Sequence, residues 1–299
     1  MKKIIITLGD PYGIGPETTF KALKKIKPGA AEFTLIGDIE NFKKFGPLKG
    51  DIKYIDIKSP FRAPKEAKLS KRGGDVSFKA LKKAVDLMLA KQADALVTAP
   101  ISKEAWQKAG VKYMGHTEFL RDKAAREGAL MTFKSGKLIC ALITEHYAVK
   151  DLSKAIDKKR IKDAARILAN IAGRNTPIEV SALNPHCGDG GKIGKEEIQT
   201  IMPAVKELKK EGLNISGPYP IDALWLRHKK GLSGAILITY HDAALLGLKL
   251  AAKEPVIHIT AGLKFLRVSP THGTAFDIAG KNKADESSML AAVKYALSK

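Results

Sequence analysis

Three short apolar runs in this chain each end at a histidine, and that repetition limits the fold more than any other feature. Ile178 to Leu183 runs into Asn184-Pro185-His186-Cys187-Gly188-Asp189-Gly190-Gly191. Leu138 to Thr144 runs into Glu145-His146, and Ala235 to Tyr240 into His241-Asp242. Apolar runs this short, closed by Pro, Gly and Asp, read as buried strands followed by loops. In an α/β protein, ligands bind beyond the carboxyl ends of such strands. If the three strands share a sheet, their imidazoles can converge on one metal ion and leave coordination positions open. No short ligand spacing such as HExxH is present, so any one of these histidines alone reads first as a polar residue at a strand end, and only the threefold repetition brings the metal reading level with it.

The rest of the chain alternates in the same way. Residues 3–8 read as a strand, followed by the turn Gly9-Asp10-Pro11-Tyr12-Gly13-Ile14-Gly15-Pro16-Glu17. Pro16 suits a first helical position and Glu17 the positive end of the helix dipole. Thr18 stands where a dinucleotide fingerprint needs its third glycine, so no Rossmann motif is present and the turn reads as tight packing or an anion site. Further strands are expected over 31–36, 52–57, 93–98 and 255–260, with a polar loop from Ser59 to Arg72. Asp75 is expected to cap a helix reaching Lys91, with Leu81, Val85, Met88 and Leu89 inward. Lys103 opens another helix. Thr117 reads as an N-cap, and with His116 it could bind an anion at that helix end. Strands alternating with helices throughout give an α/β class with largely parallel sheets.

At 299 residues the chain is long enough for one large or two ordinary domains. Two cysteines, Cys140 and Cys187, make no disulfide framework, which points to a reducing compartment. The apolar stretch after Met1 is too short for a signal peptide, and no run approaches a membrane span, so a cytoplasmic protein is expected. The net charge of +21 raises nucleic-acid binding as a hypothesis. The lysines argue against it. They occur as pairs (Lys24-Lys25, Lys43-Lys44, Lys82-Lys83, Lys158-Lys159, Lys209-Lys210, Lys229-Lys230) spread along the chain, and aromatic content is only 6%. The expected result is a solvated surface whose field favours a small anionic substrate such as a phosphate ester.

Taken together, these segments resemble the 4-hydroxythreonine-4-phosphate dehydrogenase family of pyridoxine biosynthesis, in order and over nearly the whole chain. The resemblance rests on Gly9-Asp10-Pro11 with Gly13-Ile14-Gly15-Pro16-Glu17, Gly115-His116-Thr117-Glu118-Phe119, Asn184-Pro185-His186, Tyr240-His241-Asp242, Arg267, and His272-Gly273-Thr274-Ala275 with Ala279-Gly280. The last segment is also similar to the cofactor loop of the isocitrate and isopropylmalate dehydrogenases. The resemblance implies two α/β/α domains of that type with a cleft between them and no Rossmann fingerprint. One would comprise 1–112 with 251–299 on the cofactor side, the other 113–250. It implies a divalent metal (Zn, Mg or Co) on His146, His186 and His241. Substrate would bind to His116, Thr117, Lys249, Arg267 and His258, the last standing where the family commonly has Asn. NAD or NADP would lie on His272, Gly273, Thr274 and Ala275, and Asp242 and Lys103 are the catalytic candidates. The expected reaction is oxidation of 4-phosphohydroxy-L-threonine followed by decarboxylation, in a homodimer whose active site lies at the interface. Two other readings stand beside it: a paralogue acting on D-threonate or D-erythronate 4-phosphate, and a metal-dependent hydrolase.

Overall fold

The computed structural model describes residues 1–64 and 66–299, with Glu127 described by its backbone alone. Of the expected polar loop from Ser59, Lys65 lies outside the described residues. The strands are β1 (Lys3–Thr7), β2 (Glu32–Gly37), β3 (Ile52–Asp56), β4 (Ala95–Thr98), β5 (Ala125–Ser135), β6 (Leu138–Leu142), β7 (Ile178–Ser181), β8 (Ile215–Tyr219), β9 (Ala235–Ile238), β10 (Ile257–Leu263) and β11 (Leu266–Pro270). The α-helices are α1 (Gly15–Lys24), α2 (Ile39–Lys43), α3 (Lys71–Leu89), α4 (Lys103–Lys108), α5 (His116–Ala124), α6 (Leu152–Ala155), α7 (Lys158–Ala172), α8 (Met202–Lys210), α9 (Ile221–Lys229), α10 (His241–Ala251) and α11 (Ser287–Ser298). The expected α/β class is what forms. The chain divides into two compact units: Met1–Ala129 with Ile257–Lys299, and Leu130–Val256.

In the terminal unit the strand order is β3-β2-β1-β4-β11-β10. The strands from β3 to β11 run parallel, and β10 returns antiparallel to β11. β1 and β4 are buried along almost their whole length, as a parallel strand covered on both faces must be. α3 carries Leu81, Val85 and Met88 into a core shared with Ile5, Leu96, Trp106, Phe119 and Leu120. Burying each of the aliphatic side chains is worth about 1.5–3 kcal/mol. The cap of α3 differs from expectation. Ser70 Oγ accepts from Gly73 N at 3.0 Å, so the helix begins one turn earlier, and Asp75 lies inside it paired with Lys79 at 2.9 Å. Leu89, at its end, is 39% exposed rather than inward.

In the central unit the order is β5-β6-β9-β7-β8, with β5 antiparallel to β6 and the other four parallel. Leu142, Leu224, Ile236, Ile238 and Leu248 form its core with Met131 and Phe133. The unit breaks differ from the 112/113 and 250/251 read from the sequence. Phe119 and Leu120 of α5 pack into the α3 core, which keeps that helix in the terminal unit. Strands β5, β8 and β11 and helices α2, α6, α9 and α10 are additions to the sequence reading. Gly217-Pro218 inside β8 and the charges flanking β11 mask their pattern.

Candidate active site

The central unit meets the condition set by the sequence: β6, β9 and β7 are neighbours and run parallel. Their carboxyl ends therefore share one edge, from which His146, His241 and His186 follow. Three buried hydroxyls tie these strand ends together. Thr239 Oγ1 lies 3.1 Å from Ser181 Oγ and donates to the Ala182 carbonyl at 2.9 Å; Thr239 N donates to Ser181 Oγ at 2.9 Å. Thr144 Oγ1 donates to the Thr239 carbonyl. Thr144 and Thr239 each precede a histidine by two residues, so this ladder sets where His146 and His241 leave the sheet.

The imidazoles of His146 and His241 come within 5.2 Å, centre to centre. His241 opens α10, and its Nδ1 lies 2.9 Å from Asp242 Oδ1. His241, then the Tyr240 hydroxyl at 3.2 Å, hold the Asp242 carboxyl below its usual range. An ionised Asp242 accepts a hydrogen bond from Nδ1–H and leaves Nε2 to act as a ligand, the carboxylate–histidine arrangement of metal centres. His186 is exposed on the third loop, and no three His, Cys, Asp or Glu side chains gather into a cluster among the described residues. Two imidazole donors, with a third following from the same sheet edge, nevertheless fit a divalent ion in donor chemistry. Lys249 is exposed on α10.

The loop that carries His186 is unusual backbone. His186, Cys187, Gly188, Asp189 and Gly190 all adopt left-handed φ/ψ in succession. Left-handed backbone costs a non-glycine residue about 1–2 kcal/mol, so His186, Cys187 and Asp189 are strained unless something outside them holds the turn.

The terminal unit, taken by itself, holds a buried cation. Arg267 is 2% exposed on β11, and burial lowers its pKa to about 9. Its Nη1 donates to Thr260 Oγ1 at 2.7 Å and contacts His258 Nδ1 at 3.1 Å, and its Nη2 donates to Thr98 Oγ1 at 2.6 Å. These partners are all uncharged or histidine; none is a carboxylate. A guanidinium held this way is poised for an anion. His116 lies beside it: burial, then Arg267 and His258, push its pKa well below the ordinary value, so the ring is neutral. Thr117 is not the cap of α5. Gly115 takes that position without a side-chain bond, and His116 and Thr117 form the first helical turn, whose N–H groups are open to an anion. Lys103 lies along Gly115, where an added Cβ would stand 3.6 Å from its Cε.

The glycine-rich turn proves to be packing. An added Cβ at Gly13 would meet the Thr274 carbonyl at 2.8 Å, and one at Gly15 the Leu8 carbonyl at 2.6 Å. Ile14 N donates to the Thr274 carbonyl at 2.8 Å, so this turn seats the His272-Gly273-Thr274-Ala275 loop. Glu17, which the sequence reading assigned to the helix dipole, also anchors the far side of that loop. Its buried Oε1 accepts from Lys21 Nζ at 2.7 Å and from Ala284 N at 2.9 Å. His272 Nδ1 lies 3.0 Å from the Gly273 carbonyl, and its Nε2 is buried without a partner.

Such groups suit oxidation of a small polar anion, and the class is that of the α/β dehydrogenases acting on a secondary alcohol. Residues 8–296 match the family described as pyridoxal phosphate biosynthetic protein PdxA, and the chain belongs to that family. It is 37% identical to a 4-hydroxythreonine-4-phosphate dehydrogenase of Sulfurihydrogenibium sp., over 99% of this chain and 98% of that one. It is 32% identical to a D-threonate 4-phosphate dehydrogenase of Pectobacterium atrosepticum, over 99% of each. The crystal structure of the 4-hydroxythreonine-4-phosphate dehydrogenase of Klebsiella pneumoniae superposes with a TM-score of 0.87 at 29% identity, covering 99% of this chain and 97% of that one.

Proposed function

We propose that the chain oxidises 4-hydroxythreonine-4-phosphate with NAD or NADP, giving 2-amino-3-oxo-4-phosphooxybutanoate. This β-keto acid loses carbon dioxide to form 3-amino-2-oxopropyl phosphate, a step in pyridoxal phosphate synthesis. The observation that carries the reading is Arg267, a buried guanidinium with no carboxylate partner among the described residues, in a chain of this family. A phosphorylated, carboxylated substrate supplies the missing charge. His116 and Thr117, at the open first turn of α5, take part in holding it, with Lys249 and His258. His272, Gly273, Thr274 and Ala275 would hold the nicotinamide cofactor.

His146, His186 and His241 would hold one divalent metal. Bound there, the ion supplies a Lewis acid that lowers the pKa of the substrate hydroxyl. The chain's own part is to orient and to move the proton. Asp242 already accepts hydrogen bonds from His241 Nδ1–H and from the Tyr240 hydroxyl, so it orients; Lys103, as the neutral amine, is then the group assigned to receive the hydroxyl proton. We place this enzyme in the cytoplasm as a homodimer with both subunits at the active site.

The D-threonate 4-phosphate reading stays open on one observation: the residue touching Arg267 Nη1 is His258, a bulkier group than the amide expected there. Cofactor reduction across 4-hydroxythreonine-4-phosphate and the threonate and erythronate 4-phosphates separates the two. Turnover of the first, with KM raised at least tenfold by Arg267→Ala, supports the proposal. Turnover of the sugar-acid phosphates alone replaces the substrate, and an Arg267→Ala variant with wild-type KM removes the anion role.

A further inference from the structure

The hydroxyl ladder accounts for His146 and His241, because Thr144 and Thr239 lie two residues before them. It does not account for His186. Ser181 lies five residues upstream, and the intervening turn is left-handed from His186 to Gly190. A buried acid underlies that turn. Glu197 is 1% exposed and belongs to a single turn of π-helix, Glu197–Ile201, that continues into α8. Its Oε1 accepts from Leu183 N at 2.8 Å and from Asn184 N at 2.7 Å; its Oε2 accepts from Asn184 Nδ2 at 2.9 Å. Gly188, inside the turn, has room only for hydrogen: an added Cβ would stand 2.8 Å from Glu197 Oε2 and 2.7 Å from the Gly194 carbonyl. Asn184 also donates to Glu196 Oε2 at 2.7 Å. The carboxylate therefore binds the two backbone N–H groups that lead into Pro185 and His186, and it also lies against the turn's middle glycine. π-Turns of this kind occur at functional sites because they redirect one side chain at the expense of regular helix.

We propose that Glu197 is the positioning residue of the His186 loop: it holds the left-handed turn from which His186 would join His146 and His241 as a metal ligand. The inference rests on the metal reading above. Glu197 touches neither substrate nor ion; it acts through the loop backbone. The carboxylate is needed as a whole, since one oxygen serves the two backbone donors while the other serves the Asn184 amide. A glutamine keeps the first function and sets its own N–H₂ against that of Asn184.

The test measures affinity for Co²⁺ and Zn²⁺ in metal-stripped protein by competition with a chromophoric chelator, together with the visible spectrum of the Co²⁺ form. Four proteins are compared: wild type, His186→Ala, Glu197→Gln and Ile201→Val. The last removes a methylene from the same buried π-turn, so it controls for general loosening of the core. Removing a partner that orients a metal ligand typically weakens metal binding about 10–100-fold. The expected result is such a loss in Glu197→Gln with a changed Co²⁺ spectrum, while Ile201→Val binds as wild type does. Loss in His186→Ala with wild-type affinity and spectrum in Glu197→Gln overturns the role of Glu197 and keeps the metal site. Equal loss in Glu197→Gln and Ile201→Val also overturns it, by making the effect one of stability. Unchanged affinity in His186→Ala overturns the metal reading itself.

Discussion

Asp10 shows what burial does to a single group. It is 0% exposed; Oδ1 accepts from Tyr12 N at 3.0 Å, and Oδ2 has no partner. Desolvation raises its pKa from 3.8 to about 6, against the smaller pull of the Tyr12 bond. The folded protein therefore keeps this proton to a higher pH than the unfolded chain. That stabilising contribution is complete below the unfolded value and is lost as pH rises through about 6. Asp10→Asn needs no proton. Relative to wild type, it should gain up to about 3 kcal/mol in stability between pH 4 and pH 8. Urea unfolding at both pH values checks this, and parallel pH dependence of the two proteins would count against it. The close fit of Asp10 against Gly73, where an added Cβ would meet Oδ1 at 2.5 Å, explains why the acid is shut off from solvent. Nothing in the one-dimensional pattern Gly9-Asp10-Pro11 separates this buried acid from an ordinary turn aspartate.

At the scale of elements, the terminal unit depends on helices that approach one another closely. Gly74 in α3 faces the Ala105 backbone of α4, and an added Cβ would fall inside the Ala105 carbonyl. The same contact lets Trp106 reach Ser77, its Nε1 donating at 2.9 Å. Gly74→Ala must push α4 away and should destabilise the protein by about 3 kcal/mol. A melting curve checks the loss; an unchanged midpoint would mean that α4 gives way freely. Helix α3 also shows why some caps were misread. Asp75 has the right residue type, but Ser70 has the free Gly73 N–H in reach, and an N-cap is set by which donor is open rather than by composition. The strands read most readily, β1, β4, β7 and β9, are buried along almost their whole length. β5, β8 and β11 escaped because Arg126, Gly217-Pro218 and Arg267 interrupt the apolar pattern; the burial of Arg267 is decided by its threonine and histidine neighbours across the sheet.

For the whole molecule, charge and exposed apolar surface point in different directions. The lysine pairs from Lys24-Lys25 to Lys229-Lys230 named above are exposed, so most of the excess of +21 is carried by solvated side chains. Among the described residues no helix is long and apolar enough to cross a membrane. Leucines are exposed where α9 and α10 meet the solvent: Leu226 at 60%, Leu246 at 65% and Leu250 at 76%. Large apolar side chains left on two contacting helices suit a partner surface. A second copy of the chain is the partner proposed above. Light scattering should then give twice the 32.4 kDa chain mass, and Leu246→Glu with Leu250→Glu should give monomers that have lost turnover. A wild-type monomer with full activity would remove the dimer and the shared active site together.

The sequence by itself determined the α/β class, the three apolar strands that end at histidines, and the family, because strand burial and loop punctuation are local and leave their mark residue by residue. Only the tertiary structure decided which of these groups meet. Strand order made β6, β9 and β7 neighbours and brought His146 to His241. Cross-strand threonines gave Arg267 a buried place without a counter-charge. The Gly13 turn became the seat of the Thr274 loop, and Glu197 came to lie beneath the loop that carries His186. Each of these contacts joins residues distant along the chain, and their pairing follows from how sheets and helices pack rather than from any local pattern.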